Sequence, residues 1–204
     1  MAKKNAVAIA GLETILEPKE ALSWQNMIPK LFNMEIRKVR FFADTFLDSI
    51  QTWVKEHPEY DTKIIDARDY CEDPNPIRSI WQATKDAHTG LDALKIACHS
   101  NWEGLYIISK YKKCRPDRYR YIEYYTDWCG LTFNPGANIW LSGCQAGGRF
   151  GEKWDKCIAQ DIANKTGATV WAYTSKSSQQ WKDGGYRQVP DTGDYVEFVR
   201  KGTL

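Results

Sequence analysis

The stretch that decides the fold is N-I-W-L-S-G-C-Q-A-G-G, residues Asn138 to Gly148. Ile139, Trp140 and Leu141 form a short apolar run suited to a buried strand. Ser142 and Gly143 carry the chain out of it to a single thiol, Cys144, before two glycines break the pattern. Residues 150 to 166 place Phe150, Trp154, Cys157, Ile158 and Ile162 at helical spacing, and Gly167 suits the left-handed position that closes a helix. A strand turning into a helix is the repeating unit of an open α/β sheet. Functional groups gather at the carboxyl ends of such strands, because side chains there face a crevice and not the core. Cys144 stands at a turn of this kind.

Working outward, Leu94 to Cys98 (L-K-I-A-C) is a second short apolar run, and it ends on His99, followed by Ser100, Asn101, Trp102, Glu103 and Gly104. If the two runs are neighbouring parallel strands, their axes lie about 4.8 Å apart, and residues at their carboxyl ends can meet. His99 and Cys144 then close adjacent strands on one edge of the sheet. Cys98, one position earlier, points the opposite way. Gly104 to Ser109 (G-L-Y-I-I-S) is strand-like again and predicts a small hairpin above the histidine.

The remaining pattern agrees with an alternating architecture. Asn5 to Ala10 reads as a first buried strand ended by Gly11, and Thr62 to Ala67 as another. Asp44 or Thr45 caps a helix with Phe46, Leu47, Ile50, Trp53 and Val54 on one face, running to His57 before Pro58. Ile77, Ile80, Trp81 and Thr84 mark a further helix that stops near Gly90, Ala168 to Tyr173 the next strand, and Tyr195 to Val199 a final edge strand. Ala21 to Phe32 has near-helical spacing interrupted by Pro29, and Glu35 to Phe42 alternates like an edge strand. Strands alternating with helices predict an α/β fold. Its sheet is mostly parallel, of about six strands, with right-handed crossovers and helices on both faces, in one domain over residues 1–204.

Composition narrows the classes of function. A formal charge of +2, with 26% charged residues, points neither to a nucleic-acid protein nor to an acidic disordered tail. The first ten residues carry too short an apolar run for a signal-peptide core or a membrane span, so a soluble cytoplasmic protein is expected. Six cysteines (Cys71, Cys98, Cys114, Cys129, Cys144, Cys157) form no C-x-x-C pair, which argues against a zinc ribbon or thioredoxin-type site, and the expected cytoplasmic setting favours free thiols. One stretch stands apart. Residues 110–125 interleave Lys110, Lys112, Lys113, Arg115, Arg118 and Arg120 with five tyrosines, a mixture that can grip a polyanion such as single-stranded nucleic acid. The plainer reading of Lys110 to Arg120 is a solvated insertion whose tyrosines pack on the sheet.

Taken singly, Cys144 reads as a small buried hydrophobe and His99 as a structural histidine. Their joint placement favours chemistry. Cysteine attacks as its thiolate, and a neighbouring imidazolium or helix amino terminus promotes that form. His99 is then the general acid/base of an acyl transfer. Backbone N–H groups of Ser100, Gly143 and Cys144 are the candidates for holding the developing oxyanion, and the flanking glycines allow close approach of a substrate. Neither a metal nor an organic cofactor is called for. His57 and His88 sit at predicted helix ends with no comparable context.

Residues from about 92 to 173 resemble the caspase-like cysteine peptidases, a group that includes caspases, legumain, clostripain, gingipain, separase and bacterial CHAT-type proteases. The resemblance is carried by K-I-A-C-H-S-N-W-E-G, by I-W-L-S-G-C-Q-A-G and by C-I-A-Q-D-I-A-N-K-T-G-A-T-V-W-A. These are similar to the family's strand-His turn, its strand-Cys turn and the helix-strand unit that follows. The separation of 45 residues between His99 and Cys144 is close to the roughly 50 of caspases. The resemblance implies a three-layer caspase-like sandwich with His99 and Cys144 as catalytic pair. It also implies a substrate-binding strand at about Val170, Trp171, Ala172, Tyr173, Thr174 and Ser175, and a pocket selecting the residue before the cleaved bond. The family has Gly directly after its His, where this chain has Ser100.

The function expected on this basis is a cysteine endopeptidase acting on protein or peptide substrates, of effector, toxin or processing type. Two alternatives stay open. One is a non-catalytic caspase-like module that binds a polyanion or protein partner. The other is an L,D-transpeptidase-like peptidoglycan enzyme. S-G-C occurs in that family too, but in an all-β fold and shortly after its histidine.

Overall fold

The structure is a computed structural model, which describes residues 2–11, 46–70, 73–108, 130–148, 157–182, 185–191 and 195–201. The helix and strand expected within residues 21–42, the basic tyrosine-rich stretch 110–125 and the start of the helix expected from residue 150 lie outside the described residues.

Six strands form the central sheet: β1 (Lys4–Ala10), β2 (Tyr60–Asp66), β3 (Leu91–Ala97), β6 (Phe133–Ser142), β7 (Thr169–Ala172) and β10 (Val196–Phe198). Across the sheet they run β2-β1-β3-β6-β7-β10. All neighbours are parallel except β10, which pairs antiparallel with β7 at the edge. The α/β fold with a mostly parallel six-stranded sheet is thus as expected. Two short hairpins stand outside it: β4 (His99–Ser100) with β5 (Leu105–Tyr106), and β8 (Ser177–Lys182) with β9 (Gly185–Pro190).

Helices cover both faces, and the pleat explains which residues meet them. Val7, Ile9, Leu94, Ile96, Ile139 and Leu141 bury one face against Ile77, Ile80 and Trp81 of α2 (Pro76–Ala87) and Ile158 and Ile162 of α3 (Ile158–Thr166). The alternate positions Ala6, Ala8, Ala10, Ala93 and Ala97 meet Phe46, Ile50 and Trp53 of α1, residues 46–56. Side chains of opposite parity point to opposite faces. A face paved with alanine lets the bulky residues of α1 lie close to the backbone, which keeps interior packing dense.

Local chemistry sets the ends of these elements. Pro76 occupies the first turn of α2, where its missing N–H is no loss. Gly167 closes α3 at φ 71°, and its N–H donates to the oxygen of Ala163 over 3.0 Å, as the glycine's position predicted. Strand β6 is longer than the apolar run suggested. Its pairing with β3 jumps from Leu91↔Phe133 to Ala93↔Asn138, and the extra residues include Pro135, which has no N–H to donate, and Gly136 at φ 80°.

The segment 177–190, to which the sequence pattern assigned no strand, forms a hairpin. Ser177 to Lys182 and Gly185 to Pro190 are antiparallel strands. Their polar composition hides them, but the intervening Asp183-Gly184 is a strong hairpin dipeptide.

Candidate functional site

The site lies where β3 and β6 end. These two strands are parallel neighbours, with Ala97 opposite Ser142 in the final register pair. The chain after β3 passes through buried Cys98 to exposed His99, and the chain after β6 through Gly143 to half-buried Cys144. The opposite orientation of Cys98 and His99 follows the expected alternation. His99 pairs with Tyr106 in the β4–β5 hairpin, and its ring packs edge-on against Phe46 of α1 at 5.3 Å between centroids.

The two turns are tied directly. The Ser100 hydroxyl donates to the backbone oxygen of Cys144 over 2.8 Å, and the N–H of Cys98 donates to the oxygen of Ser142 over 3.2 Å. Gly143 fills the narrowest point. A Cβ there would meet the Ser100 hydroxyl, and would lie 2.7 Å from the oxygen of Cys98 and 2.9 Å from the Ser100 Cβ. Residue type is therefore dictated by space, since only glycine lets the turns approach this closely. Gln145, next after the cysteine, is a non-glycine residue at positive φ, 54°. It is held there by hydrogen bonds from its N–H to the oxygen of Ser175, 2.9 Å, and from Gly148 N–H to its own oxygen, 3.0 Å.

A third segment closes around the sulfur. Ser177, at the start of β8, donates to Cys144 Sγ from its backbone N–H at 3.4 Å and from its hydroxyl at 3.6 Å, while Sγ lies 3.3 Å from the oxygen of Ser177. Sequence reasoning missed Ser177, because it assigned no strand to this segment. Of the described cysteines, Cys144 is the one not fully enclosed. Cys98 and Cys157 are buried, and burial pushes both of their thiols upward, away from thiolate formation at neutral pH.

The expected substrate strand divides in two. Val170 and Ala172 have buried side chains, and Val170, Trp171 and Ala172 pair with β6 on one side and β10 on the other, so their backbone is already used by the sheet. Tyr173, Thr174 and Ser175 lie beyond the strand, buried against the cysteine turn. Gly147 N–H donates to the oxygen of Tyr173 over 2.9 Å.

A polar cluster unforeseen from the sequence sits behind the cysteine turn. Lys95 is 5% exposed, and its ammonium lies 2.6 Å from Ser142 Oγ and 2.9 Å from Tyr195 Oη, which are themselves 2.5 Å apart. Burial pulls the Lys95 amine down to about 7, a fall only partly opposed by the charge of Glu56. Burial likewise raises the Tyr195 phenol. The signal was present as one lysine inside an otherwise apolar run, L-K-I-A.

Among the described residues no group of acids, histidines and cysteines is arranged to hold a metal ion, and no helix is long and apolar enough to cross a membrane. Fold and site together describe an α/β protein with a half-buried cysteine and a histidine at the carboxyl ends of adjacent parallel strands. No family model matches the chain, and a search of curated proteins finds no match.

Proposed function

We propose that the protein is a caspase-like cysteine endopeptidase, with Cys144 as nucleophile and His99 as general acid/base. The observation that carries this reading is the joining of the His99 and Cys144 turns at one end of the sheet, through the Ser100 to Cys144 hydrogen bond of 2.8 Å. In the reaction, Cys144 Sγ as thiolate attacks the peptide carbonyl carbon and forms a C–S bond. The oxyanion collapses and expels the amine, which takes a proton from His99. Water, giving a proton back to His99, then attacks the thioester and releases the carboxylic acid and the Cys144 thiolate, which restores the starting thiolate–imidazolium pair. Backbone N–H groups of Ser100, Gly143 and Cys144 are the oxyanion donors in this scheme, and Tyr173 to Ser175, the part of the expected substrate segment beyond β7, is where a peptide would lie.

A transpeptidase of all-β fold is disfavoured by the parallel sheet and its helices. The non-catalytic alternative rests on Lys110 to Arg120, outside the described residues.

The test is cleavage of a proteome-derived peptide mixture by the wild-type chain and by Cys144→Ala, read by mass spectrometry of new amino termini. New termini with the wild type alone support the proposal. Identical peptide pools from both proteins oppose it.

A further inference from the structure

The sheet face that α1 covers over β1 and β3 continues to β6 and β7, where a pocket of 590 Å³ opens between the sheet and the β8–β9 hairpin. Its volume lies within the roughly 300–1,000 Å³ of small-molecule sites, which are commonly walled by aromatic side chains with a few placed polar groups.

The sheet side is a set of aromatic surfaces. Trp140 and Trp171 are register partners on neighbouring strands, so both side chains stand on this face. The Trp171 indole donates to Asn138 Oδ1 over 3.0 Å, which fixes the orientation of its ring. Tyr173 and Tyr195 stack with centroids 4.1 Å apart and planes within 14°. Such faces attract flat rings.

The hairpin side is cationic. Lys182 is exposed at the rim, and Arg187, half-buried beside it, is oriented by an ion pair with Glu56 of α1. Among the described residues no Asp or Glu lines the pocket. A cationic ligand is therefore opposed, and an aromatic ligand that carries a negative group is matched on both sides.

We propose that this pocket binds a free nucleoside phosphate, its base against Trp140 and Trp171 and its phosphate at Lys182 and Arg187. The proposal uses neither Cys144 nor His99 and shares only Tyr173 with the peptidase reading.

Isothermal titration calorimetry of the full chain at low ionic strength tests it, with AMP, adenosine and inorganic phosphate as probes. The expected result is saturable one-site binding of AMP, weakened at least about tenfold for adenosine, a step of one decade in Kd, and absent for phosphate alone. Lys182→Ala, at an exposed position, brings AMP down to the level of adenosine, and Val189→Trp, which fills the pocket, abolishes binding of both. The proposal is overturned by absence of saturable AMP binding, by equal affinity for AMP and adenosine, or by AMP binding that neither variant changes. Binding of a short oligothymidylate with AMP silent also overturns it, since the site would then belong to a nucleic-acid strand.

Discussion

The Ser100 hydroxyl and the Cys144 backbone oxygen, 44 positions apart in sequence, are joined at 2.8 Å. Through that contact the turn after β3, which carries His99, and the turn after β6, which carries the thiol, become one unit. Gly143 makes the approach possible, and Ser177 completes the surroundings of the sulfur. Ser100, directly after His99, acts as the tether between the two turns.

Replacing the tether separates positioning from folding. Ser100→Ala removes one hydrogen bond, worth about 0.5–1.5 kcal/mol. A small fall in thermal midpoint is expected, together with a several-fold slower alkylation of Cys144. Unchanged alkylation kinetics in the folded variant would remove the tether from the account.

Gly143→Ala forces a methyl group between Ser100 and the Cys98 carbonyl. Overpacking of this kind destabilises by about 1–3 kcal/mol. Urea denaturation should show a loss in that range, and a larger one for Gly143→Val. A neutral Gly143→Ala would mean that the two turns do not approach as described.

Lys95 gives the fold a pH signature. Its amine falls from 10.5 in the unfolded chain to about 7 in the native state, so between these values the unfolded chain binds more protons. The contribution of Lys95 to stability is fully present above pH 10.5, shrinks as pH falls and is gone below about 7. The stability of the wild type relative to Lys95→Met should therefore rise with pH from 7 to 9, by at most ~1.4 kcal/mol per unit. Denaturant melts of both proteins at pH 6.5, 7.5 and 8.5 check the slope. A difference that stays constant with pH would show that Lys95 keeps its charge on folding.

Phe46 packs its ring against His99 at 5.3 Å and is 4% exposed. Phe46→Leu keeps an apolar residue in the core, at the cost of the small cavity left by the shorter side chain, but removes the aromatic partner. The expected outcome is a folded protein in which the histidine supports Cys144 alkylation less well. If the rate is unaffected, α1 has no part in placing His99.

Much of this arrangement was legible because the signals were periodic or terminal. Short apolar runs ending in His99 and in S-G-C located β3 and β6, Gly167 located the end of α3, and the spacing of Phe46, Ile50 and Trp53 located α1 and its buried face. What escaped was non-local or masked by polarity. Ser177 reaches Cys144 from 33 positions away, and its strand, S-S-Q-Q-W-K, lacks the alternation that marks a half-buried strand. Lys95 was absorbed into an apolar run, since nothing local announces that Ser142 and Tyr195 will converge on it. The length of β6 was underestimated because Pro135 and Gly136 look like a turn and act instead as a bulge within the strand.

The central claim is that His99 and Cys144 act as a pair. It is tested most directly by the rate of iodoacetamide alkylation at each cysteine between pH 5 and 9, followed by mass spectrometry in the wild type and in His99→Ala. The account predicts that Cys144 alone reacts rapidly below pH 7 and loses at least about tenfold in rate there without His99, as expected when an imidazolium partner sustains the thiolate, while buried Cys98 and Cys157 stay slow in both proteins. A Cys144 that reacts no faster than an ordinary thiol, or at the same rate with and without His99, would contradict it.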